Sequence, residues 1–152
     1  METEHVDEAN NVVDWGYFEK CRNEMGPGFI KILGYYREDG AKSLTAIETA
    51  MREQNTVALV IPAHTLKGES RQFGAEPLAE IAEKIETIAR SCIETHRFPD
   101  ELVPDVVKLR KLFETTIDLF DKAVNPLASR TRDAGGGSGL RRETGGLGGQ
   151  NR

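Results

Sequence analysis

Apolar residues return at steps of three and four through four long stretches of this chain, and no stretch alternates apolar with polar residues as a half-buried strand would. In one of them Leu78, Ile81, Ile85, Ile88 and Cys92 trace one side of a helix. After Thr95-His96-Arg97 and a restart at Phe98-Pro99-Asp100, the same rhythm resumes in Leu102, Val106, Leu109, Phe113, Thr116 and Phe120. Nearer the start, Phe29, Leu33, Tyr36, Leu44, Ile47 and Met51 keep the period, with Gly40 as a place where the run bends or divides. Residues 57–73 put Leu59, Pro62, Ala63, Leu66, Ser70 and Phe73 on one side at about 100° per residue. Four such helices joined by short connections bury their stripes against one another. The pattern predicts an all-α, antiparallel four-helix bundle.

The ends of the elements are marked as well. Asp14 is placed to cap a short additional N-terminal helix carrying Trp15, Tyr17, Phe18 and Cys21, which Met25-Gly26-Pro27-Gly28 breaks. Asn55 and Thr56 supply a turn and a cap before residue 57. Gly74 and Ala75 close the helix that follows, and Pro77 falls in the first turn of the next, where proline is tolerated. Residues 1–12 show no periodicity and are expected to be flexible, leaving 13–125 for the bundle. Residues 134–152 hold eight of the fifteen glycines, three arginines and one glutamate. Such a segment buries too little apolar surface to offset its ordering entropy, so 126–152 are expected to form a disordered, Gly-rich tail.

Charge narrows the function. Residues 134–152 carry +2, leaving −7 on the rest of a chain whose total is −5. A nucleic-acid binder normally presents a basic face, so nucleic acid is not an expected partner. Cys21 and Cys92 sit in no metal-ligand or CxxC spacing, which fits a reducing compartment. No apolar run approaches a membrane span, and Met-Glu-Thr-Glu-His is too acidic for a secretory signal. A cytoplasmic protein, monomeric and without a membrane partner, is the expectation.

One histidine stands apart from His5 and His96. On the helical projection His64 turns away from the apolar stripe, with Lys67, Gly68 and Arg71 on one side of it and Val57, Val60 and Ile61 on the other. An imidazole offers a nitrogen nucleophile near neutral pH and can accept a phosphoryl group covalently. Lys67 at i+3 and Arg71 at i+7 are placed to offset the added charge. Gly68 at i+4 removes a side chain that would crowd the phosphate. A glycine inside a helix costs about 1 kcal/mol relative to alanine, so it calls for a reason. Val57, Val60 and Ile61 on a solvent-facing side suit a docking surface, although burial against a neighbouring element is the ordinary alternative. Metal binding lacks a second histidine or cysteine at i+3 or i+4, and no nucleophile-and-acid set is spaced for acyl transfer.

Ala63-His64-Thr65-Leu66-Lys67-Gly68-Glu69-Ser70, then Phe73-Gly74-Ala75, Leu78 and Ile85-Glu86, resembles the histidine-containing phosphotransfer (HPt) domain of two-component phosphorelays. The likeness in helix pattern extends over residues 13–123. It implies a four-helix bundle whose exposed histidine carries phosphate to or from the aspartates of response-regulator receiver domains, including those fed by a hybrid or sensor histidine kinase. His64 matches the phosphorylated position, and Lys67 and Gly68 match the residues that support it. Glu69 departs from a second small residue common in the family; by projection it points away from His64. Pro62 departs too, and reads as a kink rather than a helix end because the stripe continues to Phe73. Glu86 and Arg90, at i and i+4, are candidate partner-facing residues whose ordinary reading is a solvated ion pair worth a few tenths of a kcal/mol.

The chain has no Gly-rich phosphate loop and no aspartate cluster for Mg²⁺. No cofactor is expected, and the receiver must bring the metal that phosphoryl transfer needs. Two rival readings stand beside the carrier. One is a helical interaction module that binds a receiver or kinase without taking phosphate. The other is a kinase dimerisation hairpin.

Overall fold

The computed structural model describes residues 11–125, and all regular structure in that span is helical. The expected flexible tail, and all but the last two residues of the expected flexible N-terminus, lie outside it. Five helices follow in order: α1 (Trp15–Met25), α2 (Phe29–Arg52), α3 (Val57–Gln72), α4 (Glu76–Glu94) and α5 (Val103–Val124), with 3₁₀ turns at Gly26–Gly28 and Asp100–Leu102. The helices α2 to α5 form the four-helix bundle and α1 is the short addition. The chain divides into two compact units within α5, the first ending at Ile117 and the second beginning at Asp118. In the described part of the second, Lys122 and Asp118 pair at 3.1 Å.

Local chemistry accounts for the boundaries. Asp14 Oδ1 accepts from the Tyr17 N–H at 3.1 Å, satisfying a donor that the first turn of α1 leaves free. Gly26, at φ 63°, ends α1 in a backbone conformation that only glycine adopts without cost. Asn55 Oδ1 accepts from the Ala58 N–H at 3.2 Å and so caps α3. Thr56 takes a different part from the expected cap: its hydroxyl donates to the Arg97 carbonyl at 3.2 Å and ties the α2–α3 turn to the segment after α4.

Gly40 neither bends nor divides α2, which runs unbroken for 24 residues. Its role is steric. A Cβ built there would lie 2.6 Å from Phe113 Cε1, so the missing side chain lets the α5 ring lie against the α2 backbone. Gly74, at φ 84°, does the same for α1: a Cβ would fall 2.9 Å from the Asp14 carbonyl, while the Asp14 N–H donates to the Gly74 carbonyl at 2.9 Å.

The core is drawn from all four long helices, with Leu44, Ile47, Leu59, Leu66, Leu78, Ile85, Leu102 and Leu109 fully enclosed. A chain of rings, Phe18–Phe29–Phe73–Tyr36–Phe113, crosses it with centroid separations of 5.2 to 6.1 Å. The Tyr36 hydroxyl hydrogen-bonds Ser70 Oγ at 2.8 Å, which satisfies both buried polar groups. On α4 the buried side is richer in small residues than the isoleucine seam predicts. Ala79, Ala82 and Ala89 are enclosed, whereas Ile81 and Ile88 are only partly covered. Small side chains there allow close approach of a neighbouring helix. Glu48 of α2 and Arg110 of α5 close a two-point ion pair at 2.6 and 3.0 Å.

Candidate functional site

Two residues of α3 and two of α4 build one polar cluster on the side of the bundle. Pro62 lies inside α3 and has no N–H to give to the Ala58 carbonyl, yet the helix continues from Val57 to Gln72. His64 follows two residues later, with its side chain 57% exposed. Its Nδ1 sits 3.0 Å from Glu86 Oε2 of α4. Lys67 Nζ lies 2.9 Å from the other oxygen, Oε1, as a close ion pair that is not aligned as a hydrogen bond. Arg90, one turn beyond Glu86, brings Nε and Nη2 each to 3.0 Å from Oε2.

Glu86 is therefore a buried carboxylate holding an imidazole, an ammonium and a guanidinium. The sequence's ordinary reading, a solvated pair with Arg90, is overturned. Burial is the strongest single influence on this carboxyl and works against its charge. The contacts from Lys67, Arg90 and His64 together outweigh it and hold the group below the usual glutamate value. A sequence signal for its placement existed. Ala79 and Ala82 share the helical flank of Glu86, and small residues mark the side of a helix that another approaches.

The carboxylate also decides which ring nitrogen is free. It can only accept hydrogen bonds, so the neutral imidazole facing it carries its proton on Nδ1. Nε2 then keeps its lone pair, and no partner among the described residues engages it. Lys67 stands one turn from His64, its stem mostly covered and its ammonium at the site. Gly68 meets nothing within 4 Å of where a Cβ would stand, so the space beside the ring is open. No packing requirement accounts for a glycine there.

The apolar shelf is smaller than the sequence suggests. Val57 and Ile61 are 65% and 68% exposed, but Val60 is 7% exposed and belongs to the interior. The reason lies in the register of the helix: Val60 precedes Lys67 by two turns, on the flank that reaches toward Glu86, and that flank is covered. Arg71 also differs from expectation. Its Nε lies 3.0 Å from Glu76 Oε2 and its Nη2 2.8 Å from Glu83 Oε1, which holds the guanidinium at the α3–α4 elbow. Hydrogen bonds to Arg71 lower the Glu83 carboxyl in turn. Glu69 lies on the opposite flank from Lys67. Burial, aided by Asp39 of α2, pushes its carboxyl up.

An exposed imidazole with one nitrogen fixed and the other open, a cation one turn away and clear space alongside is an arrangement for nucleophilic attack on phosphorus. Among the described residues no group of three or more His, Cys, Asp or Glu side chains is gathered to hold a metal ion, and no helix is long and apolar enough to cross a membrane.

No curated protein matches the chain. Among solved structures, it is similar to histidine-containing phosphotransfer protein B (HptB) from Pseudomonas aeruginosa PAO1, at 22% identity and a TM-score of 0.64. That match covers 74% of this chain and 93% of the other. Residues 31–119, from the first turn of α2 into the last third of α5, match the family model described as the Hpt domain. The chain belongs to the Hpt family, the histidine phosphotransfer domains that serve as intermediates in two-component phosphorelays.

Proposed function

We propose that His64 accepts the phosphoryl group, through Nε2, and exchanges it with the aspartate of a receiver domain. The observation that carries this reading is the exposed ring whose Nδ1 is bound to Glu86 and whose Nε2 has no partner among the described residues. Attack on a receiver acyl phosphate forms the Nε2–P bond and breaks the P–O bond, whose electron pair leaves on the aspartate carboxylate. Lys67 is the ammonium placed to meet the charge of the incoming group, and Gly68 leaves room for it. Mg²⁺ is expected from the receiver, because this chain contributes a nucleophile, a cation and a surface. Val57 and Ile61 form the apolar part of that surface.

The source and destination of the phosphate are a receiver domain and a hybrid or sensor histidine kinase, met by a monomeric carrier in the cytoplasm. Two free, buried cysteines support a reducing compartment. The deciding experiment incubates the protein with a phosphorylated receiver and maps the acid-labile phosphate. Label on His64, and none on a His64→Gln variant, is the expected result. Equal labelling of the variant sinks the assignment. Receiver binding that survives His64→Ala, with no transfer from any donor, favours a non-phosphorylated interaction module.

A further inference from the structure

Glu86 has more contacts than the orientation of one ring requires. We propose that Glu86 is a proton-holding residue: it keeps the Nδ1 proton on the His64 ring through the whole transfer cycle, so that the phosphoryl group arrives at a neutral imidazole and leaves from an imidazolium. The proposal rests on His64 being the phosphoacceptor and concerns what makes that phosphate easy to pass on.

The step balances without a proton entering or leaving. The Nε2 lone pair forms the N–P bond, the aspartyl oxygen takes the pair from the P–O bond, and the ring becomes positive with Nδ1–H still in place 3.0 Å from Glu86 Oε2. On the return, the N–P electrons go back to Nε2 and the ring is neutral again, still protonated on Nδ1. An imidazole without that proton would have to depart from phosphorus with its charge unrelieved, which makes it a poorer leaving group.

Local charge favours the protonated form. Before transfer, one carboxylate faces Lys67 and Arg90, a surplus of one positive charge. A bound phosphoryl group adds about two negative charges. With the ring proton kept, the cluster is neutral; with it lost, the cluster carries a net negative charge next to a buried carboxylate. Glu83, another acidic group nearby, is paired with Arg71 at 2.8 Å and also feels the charges of Lys67 and Glu86. Without a charge at position 86, Lys67, Arg90 and the imidazolium together outweigh the phosphoryl group by about one positive charge, which disfavours the ring proton.

The test uses the full chain and potassium phosphoramidate as phosphoryl donor, so no partner protein is needed. Wild type and Glu86→Gln, which keeps the size and an acceptor oxygen but not the charge, are phosphorylated. Loss of phosphate is then followed from about pH 6 to about pH 9. The expected result is a phosphohistidine about three- to tenfold longer-lived in the variant at the alkaline end, the two converging at the acid end. Identical lifetimes across the range overturn the proposal while leaving His64 as phosphoacceptor. Absence of phosphate on His64 in both proteins overturns the phosphoacceptor reading, and this one with it. A reading that needs no variant comes from the ring ¹⁵N signals of phosphorylated wild type. Nδ1 in its protonated form at about pH 7.5 supports the proposal, and a deprotonated Nδ1 overturns it even if the variant fails to fold.

Discussion

Lys67 of α3 and Glu86 of α4 meet at 2.9 Å, so the cation proposed to receive the phosphoryl group is engaged by a buried carboxylate before any phosphate arrives. Transfer then asks the ammonium to serve a second, more highly charged partner. Lys67→Met keeps the stem that covers the seam and removes the charge. A hydrogen bond to a charged group contributes about 1.5–3 kcal/mol, so single-turnover transfer from a phosphorylated receiver is expected to slow about 10- to 100-fold with helicity unchanged. A variant that transfers at the wild-type rate would confine Lys67 to holding Glu86.

Two glycines inside helices make opposite predictions for the same substitution. Gly68 has open space where a Cβ would stand, so Gly68→Ala is expected to stabilise the protein by about 0.5–1 kcal/mol in urea unfolding. Gly68→Gln fills the space beside His64 and is expected to reduce transfer without loss of stability. Gly40→Ala gains the same helix propensity but places its Cβ 2.6 Å from the Phe113 ring. Overpacking of that kind costs about 1–3 kcal/mol, so a net destabilisation is expected. A stabilised Gly40→Ala would mean that Phe113 moves aside freely.

That contrast marks where the sequence was informative. The bundle was legible because the apolar period survives through all four long helices, and the site was legible because His64, Lys67 and Gly68 lie on one turn of one helix. What failed were statements that depend on a neighbouring helix. Val60 reads as exposed from the projection of α3 alone, and only contact on the Lys67 flank buries it. Arg71 looks free for a phosphate until Glu76 and Glu83 arrive from the next helix. Glu86 looks like half of a surface pair until α3 brings an ammonium and an imidazole to it. Gly40 reads as a break because a single sequence does not show the ring that takes its place.

The Glu86 carboxyl sits below its ordinary value of 4.5 in the folded protein and regains that value on unfolding. The folded state therefore binds its proton less readily, and the network's contribution to stability is present above about pH 4.5 and lost as pH falls through the depressed value. Urea unfolding of wild type and Glu86→Gln at about pH 7 and about pH 3.5 checks the sign. The stability gap in favour of wild type is expected to narrow at the lower pH. A gap that widens on acidification would show that burial outweighs the contacts from Lys67, Arg90 and His64, with the folded state favouring the protonated carboxyl.

Adjacent positions on α3 separate docking from folding. Ile61 is 68% exposed and Val60 is 7% exposed, although both are branched aliphatic residues within a turn of His64. A charge at position 61 stays in water, where it costs the fold little, and spoils the apolar shelf that Ile61 shares with Val57. Ile61→Asp is expected to keep its helical circular dichroism and its chemical phosphorylation by phosphoramidate, while receiver affinity falls about tenfold or more. Val60→Asp buries a carboxylate with no assigned partner and is expected to lower unfolding stability by several kcal/mol. Titration calorimetry against a receiver domain reads the first effect and thermal melting reads the second. If Ile61→Asp melts like Val60→Asp, the shelf is part of the core and receivers dock elsewhere on the His64 face.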